Sequence, residues 1–142
     1  PPMIIGLDHV AIAVLDMNEG IKRFMDDFGI SFAGLEDVPS AQTSTAFFPI
    51  SGTQLELIHP LKGQGPVQKF LDTRGQGLHH LCFRTDDIQA DMGRLRELGY
   101  RLLSDSPRPG AHGTQTVFLH PKSCGGVLIE LVEYPAGSAA HG

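Results

Sequence analysis

The stretch Leu7-Asp8-His9-Val10-Ala11-Ile12-Ala13-Val14 returns later in the chain as Leu78-His79-His80-Leu81-Cys82-Phe83-Arg84-Thr85. Each copy is an apolar, strand-like run with a histidine at its third position. Self-similarity over a long period marks a fold built from repeated units, so this match governs how the rest is read. Both runs pass through an acidic turn, Asp16 in one copy and Asp86-Asp87 in the other, into a segment with apolar residues at helical spacing. That spacing predicts helices over about 17–28 (Ile21, Phe24, Met25, Phe28) and 88–98 (Ile88, Met92, Leu95, Leu98). Gly29 and Gly99 follow them, as helix-ending glycines do.

The second part of each copy repeats as well. Thr45-Ala46-Phe47-Phe48-Pro49 answers Thr116-Val117-Phe118-Leu119-His120-Pro121, and Leu55-Glu56-Leu57-Ile58 answers Ile129-Glu130-Leu131-Val132. These β-rich runs are bounded by Gly, Pro and Ser, as strands and hairpins are. The expectation is an α+β chain of two tandem βαβββ modules forming a shared, open barrel-like sheet around a metal site. Module one covers about 5–60 and module two about 78–134. A Gly-rich connector, 61–77, has room for a short helix at 67–73, and a small, polar, poorly ordered tail runs over 135–142. The cleft between two such modules is the natural place for a ligand.

Bulk properties narrow the function. The chain has 142 residues, 41% hydrophobic and 19% charged, with a net charge of −5 and no run of Lys or Arg. Nucleic acid and membrane surfaces call for a concentrated basic patch, so neither is expected as a partner. A phosphorylated small molecule needs only a few placed cations and stays open. No stretch reaches the roughly 18 apolar residues of a membrane span. Pro1-Pro2-Met3-Ile4-Ile5 lacks the charged start and apolar core of a secretory signal. The two cysteines, Cys82 in an apolar run and Cys124 in a Gly-rich loop, form no disulfide framework or zinc spacing. The expected compartment is the reducing cytoplasm.

The chemistry lies where the repeat and the ionisable residues coincide. His9 and His80 occupy equivalent strand positions, as do Glu56 and Glu130. With the period of two of a strand, Leu55 and Leu57 face one side and Glu56 the other. The run Val127-Leu128-Ile129-Glu130-Leu131 is apolar except for its carboxylate. A charge in such a place is costly unless it is paired or binds a metal. For one residue, a satisfied polar group is the ordinary explanation; four residues related by a repeat point to a ligand set. Two imidazoles and two carboxylates suit Co²⁺, Ni²⁺, Mn²⁺, Zn²⁺ or Fe²⁺ and leave two octahedral positions for a bidentate substrate. His79 should face away from the ligand side, to pack or to support a ligand from outside the ligand set, while His59 and His120 lie near strand ends as surface or site residues. Arg108 and His112, in Pro107-Arg108-Pro109-Gly110-Ala111-His112-Gly113, and Lys122 are candidate contacts for an anionic group, although a plain solvent loop accounts for them equally.

Together these residues resemble the vicinal oxygen chelate (glyoxalase/bleomycin-resistance) superfamily over nearly the whole chain. Within it they most resemble the methylmalonyl-CoA epimerases, chiefly through Phe118-Leu119-His120-Pro121-Lys122-Ser123-Cys124-Gly125-Gly126-Val127-Leu128-Ile129-Glu130-Leu131. The resemblance implies metal ligands at His9, Glu56, His80 and Glu130, with Co²⁺ the first ion to expect and Zn²⁺, Ni²⁺ or Mn²⁺ as others. It implies an acyl-CoA substrate, a homodimer, and interconversion of (2R)- and (2S)-methylmalonyl-CoA by α-proton abstraction through a metal-stabilised enolate. Glu130 is the expected base and Glu56 its partner. Some members have Gln at the place of Glu56, and some carry a catalytic Glu where this chain has Thr43-Ser44-Thr45-Ala46. Two other readings share the fold. One is a glyoxalase I-type lyase acting on a glutathione hemithioacetal; the other is a non-catalytic binding protein. A ring-cleaving dioxygenase uses two His and one carboxylate, and the fourth ligand argues against it.

Overall fold

A computed structural model describes residues 4–141. Residues 1–3, read above for targeting, and Gly142 of the tail lie outside the described residues. The chain is α+β, with eight strands and three α-helices among the described residues. It divides into two compact units, one built on residues 9–79 with 140–141, the other on 4–8 and 80–139.

In the unit of residues 9–79, strand β1 (Ile4–Ala13, whose first residues fall to the other unit) leads to helix α1 (Met17–Lys22) and then to β2 (Gly34–Val38), β3 (Thr43–Ile50) and β4 (Thr53–Pro60). The order across the sheet is β2-β3-β4-β1, antiparallel except that β4 runs parallel to β1. Asp16 caps α1 by accepting from the Glu19 N–H at 3.0 Å, which explains the acidic turn. The expected helix over 17–28 is shorter than its apolar spacing suggested. After Lys22 the backbone loosens into a π-type turn, Arg23–Asp27, in which the Phe28 N–H reaches back to the Arg23 carbonyl. The wider turn throws the periodicity off. Ile21 and Phe24 pack on the sheet with Val14, Ala46, Phe48 and Leu57, whereas Met25 and Phe28 end exposed. Helix and sheet meet closely at Gly20, where a Cβ would lie 2.9 Å from Leu57 Cδ1.

The other face of this sheet is covered by the segment expected to be a connector. Helix α2 (Pro66–Arg74) places Val67 and Leu71 against Ala11, Ala13 and Ile58. Burying such side chains stabilises by roughly 1.5–3 kcal/mol each. Residues 61–77 are therefore part of this unit's packing.

The second unit repeats the plan with β5 (Gly77–Thr85), α3 (Ile88–Glu97), β6 (Arg108–Pro109), β7 (Gln115–Leu119) and β8 (Ile129–Glu133), ordered β5-β8-β7-β6. Asp87 caps α3, accepting from the Ala90 N–H at 3.0 Å. Ile88 and Met92 of α3 pack with Val117, Leu119 and Leu131. The helix is also tied to the sheet by a polar knot. Thr85 Oγ1 donates to Asp91 Oδ2 at 2.5 Å, Arg94 donates to Asp91 Oδ1, and the Ile88 N–H donates to Glu133. Asp91 is fully buried and Thr85 2% exposed. Asp91→Ala strands that hydroxyl without its acceptor, so a loss of about 2–3 kcal/mol is expected, read as a lower urea midpoint at unchanged slope. In the tail, Arg84 donates to the carbonyls of Ser138 and Ala139 and lies over the Tyr134 ring, 4.2 Å from its centroid.

Candidate metal centre

His9 and Glu56 meet through the parallel pairing of β1 and β4. Their register sets Glu56 opposite Ala11, two residues past His9. Residues two apart on a strand share a face, so the imidazole and the carboxylate project from the same side. His9 Nδ1 and Glu56 Oε2 stand 3.0 Å apart. Leu55 and Leu57 turn to the opposite face and pack beneath α1, as the alternation around Glu56 predicts.

The second copy reproduces this arrangement. Glu130 of β8 lies opposite Cys82 of β5, two residues past His80, and His80 Nε2 stands 3.0 Å from Glu130 Oε1. The Phe118 ring meets the His80 imidazole edge-on at 5.1 Å, and Phe118 is itself the cross-strand partner of Glu130. Cys82 is fully buried, as its apolar surroundings suggested.

All four side chains are nearly shut off from water: His9 is 6% exposed, Glu56 9%, His80 8% and Glu130 8%. An anionic carboxylate in that position needs a cationic or hydrogen-bonding partner. The atoms in contact, an imidazole nitrogen and a carboxylate oxygen, are the donors that borderline divalent ions prefer. The residues present in each half therefore fit half of a divalent metal site, and the sequence placed each pair correctly in its strand.

Three of the remaining histidines are occupied otherwise. His59 Nδ1 lies 2.9 Å from the Val14 carbonyl, which requires that nitrogen to carry its hydrogen. His120 Nδ1 accepts from the Lys122 N–H and so caps the turn Pro121–Cys124. His79 packs edge-on against Phe70 of α2 at 4.8 Å, the first of the two roles expected for it. Arg108, His112 and Lys122 are exposed. His112 adopts the left-handed conformation, φ 59°, in the tight turn Ala111–Gly113. Cys124 is partly buried, and desolvation pushes its thiol pKa up, the opposite of an activated nucleophile.

Two polar residues escaped the reading of the sequence. Gln54 is 3% exposed, and its Nε2 donates to Glu56 Oε2 at 3.0 Å. Its signal was present: a polar residue two places before Glu56, hence on the same face. Glu36 of β2 pairs with Thr45 of β3, which pairs with Ile58. This brings a carboxylate onto the Glu56 face one strand beyond the stretch Thr43-Ser44-Thr45-Ala46, which has none. No local pattern marks Glu36; only the strand pairing does.

Comparison with known proteins agrees with this geometry. A sequence model of the Glyoxalase/Bleomycin resistance protein/Dioxygenase superfamily matches residues 8–118. The mitochondrial methylmalonyl-CoA epimerase of Mus musculus is 39% identical over 88% of this chain and 71% of its own length. An ethylmalonyl-CoA/methylmalonyl-CoA epimerase of Cereibacter sphaeroides is 39% identical over 91% of this chain and 98% of its own. Among solved structures, a variant of the Streptomyces coelicolor methylmalonyl-CoA epimerase in complex with 2-nitronate-propionyl-CoA superposes with a TM-score of 0.90. It is 33% identical and covers 94% of this chain and 99% of that one. The chain belongs to the glyoxalase/bleomycin resistance protein/dioxygenase superfamily and, within it, to the methylmalonyl-CoA epimerase family.

Proposed function

We propose that the chain interconverts (2R)- and (2S)-methylmalonyl-CoA, with His9, Glu56, His80 and Glu130 ligating one divalent ion, Co²⁺ first among the candidates. The observation that carries the reading is the buried His–Glu pair made twice, in the same strand register, in a chain of this family. A bound divalent ion supplies positive charge to the carbonyl oxygen that becomes anionic as the α-proton leaves. Glu130 takes the α-proton from one face of the acyl group. Glu56 is its partner, so that a proton is returned to the other face and the stereocentre inverts with no net change in atoms. Burial of both carboxylates keeps water from competing for that proton. Arg108, His112 and Lys122 offer cationic or hydrogen-bonding contacts for the CoA phosphates.

Among the described residues no helix is long and apolar enough to cross a membrane. Both cysteines are free thiols. Two free thiols accord with a reducing compartment, and we take the cytoplasm for this chain, while the name of the mouse relative places that protein in mitochondria. The expected assembly is a homodimer.

The deciding experiment incubates metal-loaded protein with one epimer of methylmalonyl-CoA in D₂O and follows deuterium at the α-carbon by NMR or mass spectrometry. Metal-dependent exchange, with appearance of the other epimer, is the expected result. Protein shown to contain metal but giving no exchange would reject the epimerase reading, and a glutathione hemithioacetal would be the substrate to try next.

A further inference from the structure

The two halves are alike in strand pairing and in the register of glutamate against histidine, and the His–Glu contact is 3.0 Å in each, through Nδ1 of His9 and Nε2 of His80. They differ two residues before the glutamate. There β4 carries Gln54 and the second copy carries Leu128. Gln54 is buried, and its amide donates at 3.0 Å to Glu56 Oε2, the same oxygen that stands 3.0 Å from His9 Nδ1. Two groups from two strands thus converge on one carboxylate oxygen and set the plane and direction of that carboxylate. Leu128 has no side-chain hydrogen to donate at the corresponding place.

We propose that Gln54 is a positioning residue that locks the Glu56 carboxylate in its ligating orientation. The proposal rests on the reading of both pairs as parts of one metal-dependent centre. An amide behind a carboxylate is the kind of outer support that ligands use to keep their orientation, and its loss typically costs 10–100-fold in metal affinity.

The test uses the full chain stripped of metal and titrated with Co²⁺, read by visible absorption and by competition with a chelator. In Gln54→Met, of similar length but with no donor, the Co²⁺ Kd should rise about 10–100-fold and the Co²⁺ absorption bands should change. α-Deuterium exchange at saturating Co²⁺ should fall much less than the affinity does. Wild-type affinity and absorption in Gln54→Met would overturn the role of Gln54. A wild-type chain that takes up no Co²⁺ would instead remove the metal reading itself, before any variant is compared.

Discussion

Glu130→Gln is expected to lose α-proton exchange by about 10²–10⁴-fold while the protein keeps its metal. The substituted amide preserves size, fills the same place on β8 opposite Cys82, and retains an oxygen able to ligate. It lacks a site of useful basicity. Removing a positioned base costs the barrier about 3–5 kcal/mol, since each tenfold in rate is about 1.4 kcal/mol. The measurement is exchange in D₂O beside Co²⁺ content on the same preparation. Wild-type exchange in the variant would sink the assignment of Glu130 as base. Joint loss of metal and exchange would leave it a ligand only. The corresponding change in the first copy, Glu56→Gln, should lower exchange less than inversion, because exchange needs only the face served by Glu130 whereas inversion also needs the proton that Glu56 returns.

The repeat made most of the fold readable. His9 and His80 sit on parallel-paired strands, and Asp16 and Asp87 cap the helices that follow, so local patterns and long-range pairing agreed. Agreement between levels is what lets a sequence be read at all. The reading failed where backbone geometry left the standard period. A π-type turn cannot be seen in the spacing of Ile21, Phe24, Met25 and Phe28, which looks like one unbroken helix. The stretch 61–77 looked like a linker because its glycines dominate; the two residues that matter, Val67 and Leu71, gain meaning only from the sheet they cover.

The site divides in the same way. The ligand candidates stood out because a buried carboxylate interrupts an apolar strand twice at matching places. Gln54 was overlooked because a single amide in a strand is usually a surface residue, and only its contact with Glu56 Oε2 gives it a role. Glu36 required the pairing of β2 with β3, which spans residues of no distinctive pattern. The tautomers of His59 and His120 are likewise fixed by backbone partners, Val14 O and Lys122 N–H, that no spacing rule announces.

His9→Ala should do more damage than its size suggests, and to two properties at once. It takes away the imidazole 3.0 Å from a carboxylate that is only 9% exposed. Leaving a buried acceptor short of a partner costs about 1–3 kcal/mol, so the metal-free chain should melt or unfold in urea earlier than wild type. Metal affinity should fall further than the 10–100-fold typical of losing an outer-shell partner, because a ligand itself is gone, and exchange should disappear with it. His80→Ala should behave the same way, since the second copy repeats the contact at the same distance. His59→Ala supplies the contrast. Its ring bonds the Val14 carbonyl from the end of β4, so a stability cost with full Co²⁺ uptake and full exchange is expected. If His9→Ala also lost stability but bound Co²⁺ and exchanged the α-proton like wild type, the His–Glu pairs would be structural clasps and the metal reading would fall. Loss confined to His9 and His80 would identify the repeated histidines as the ligands, because burial alone predicts no such difference among histidines that are all held by protein partners.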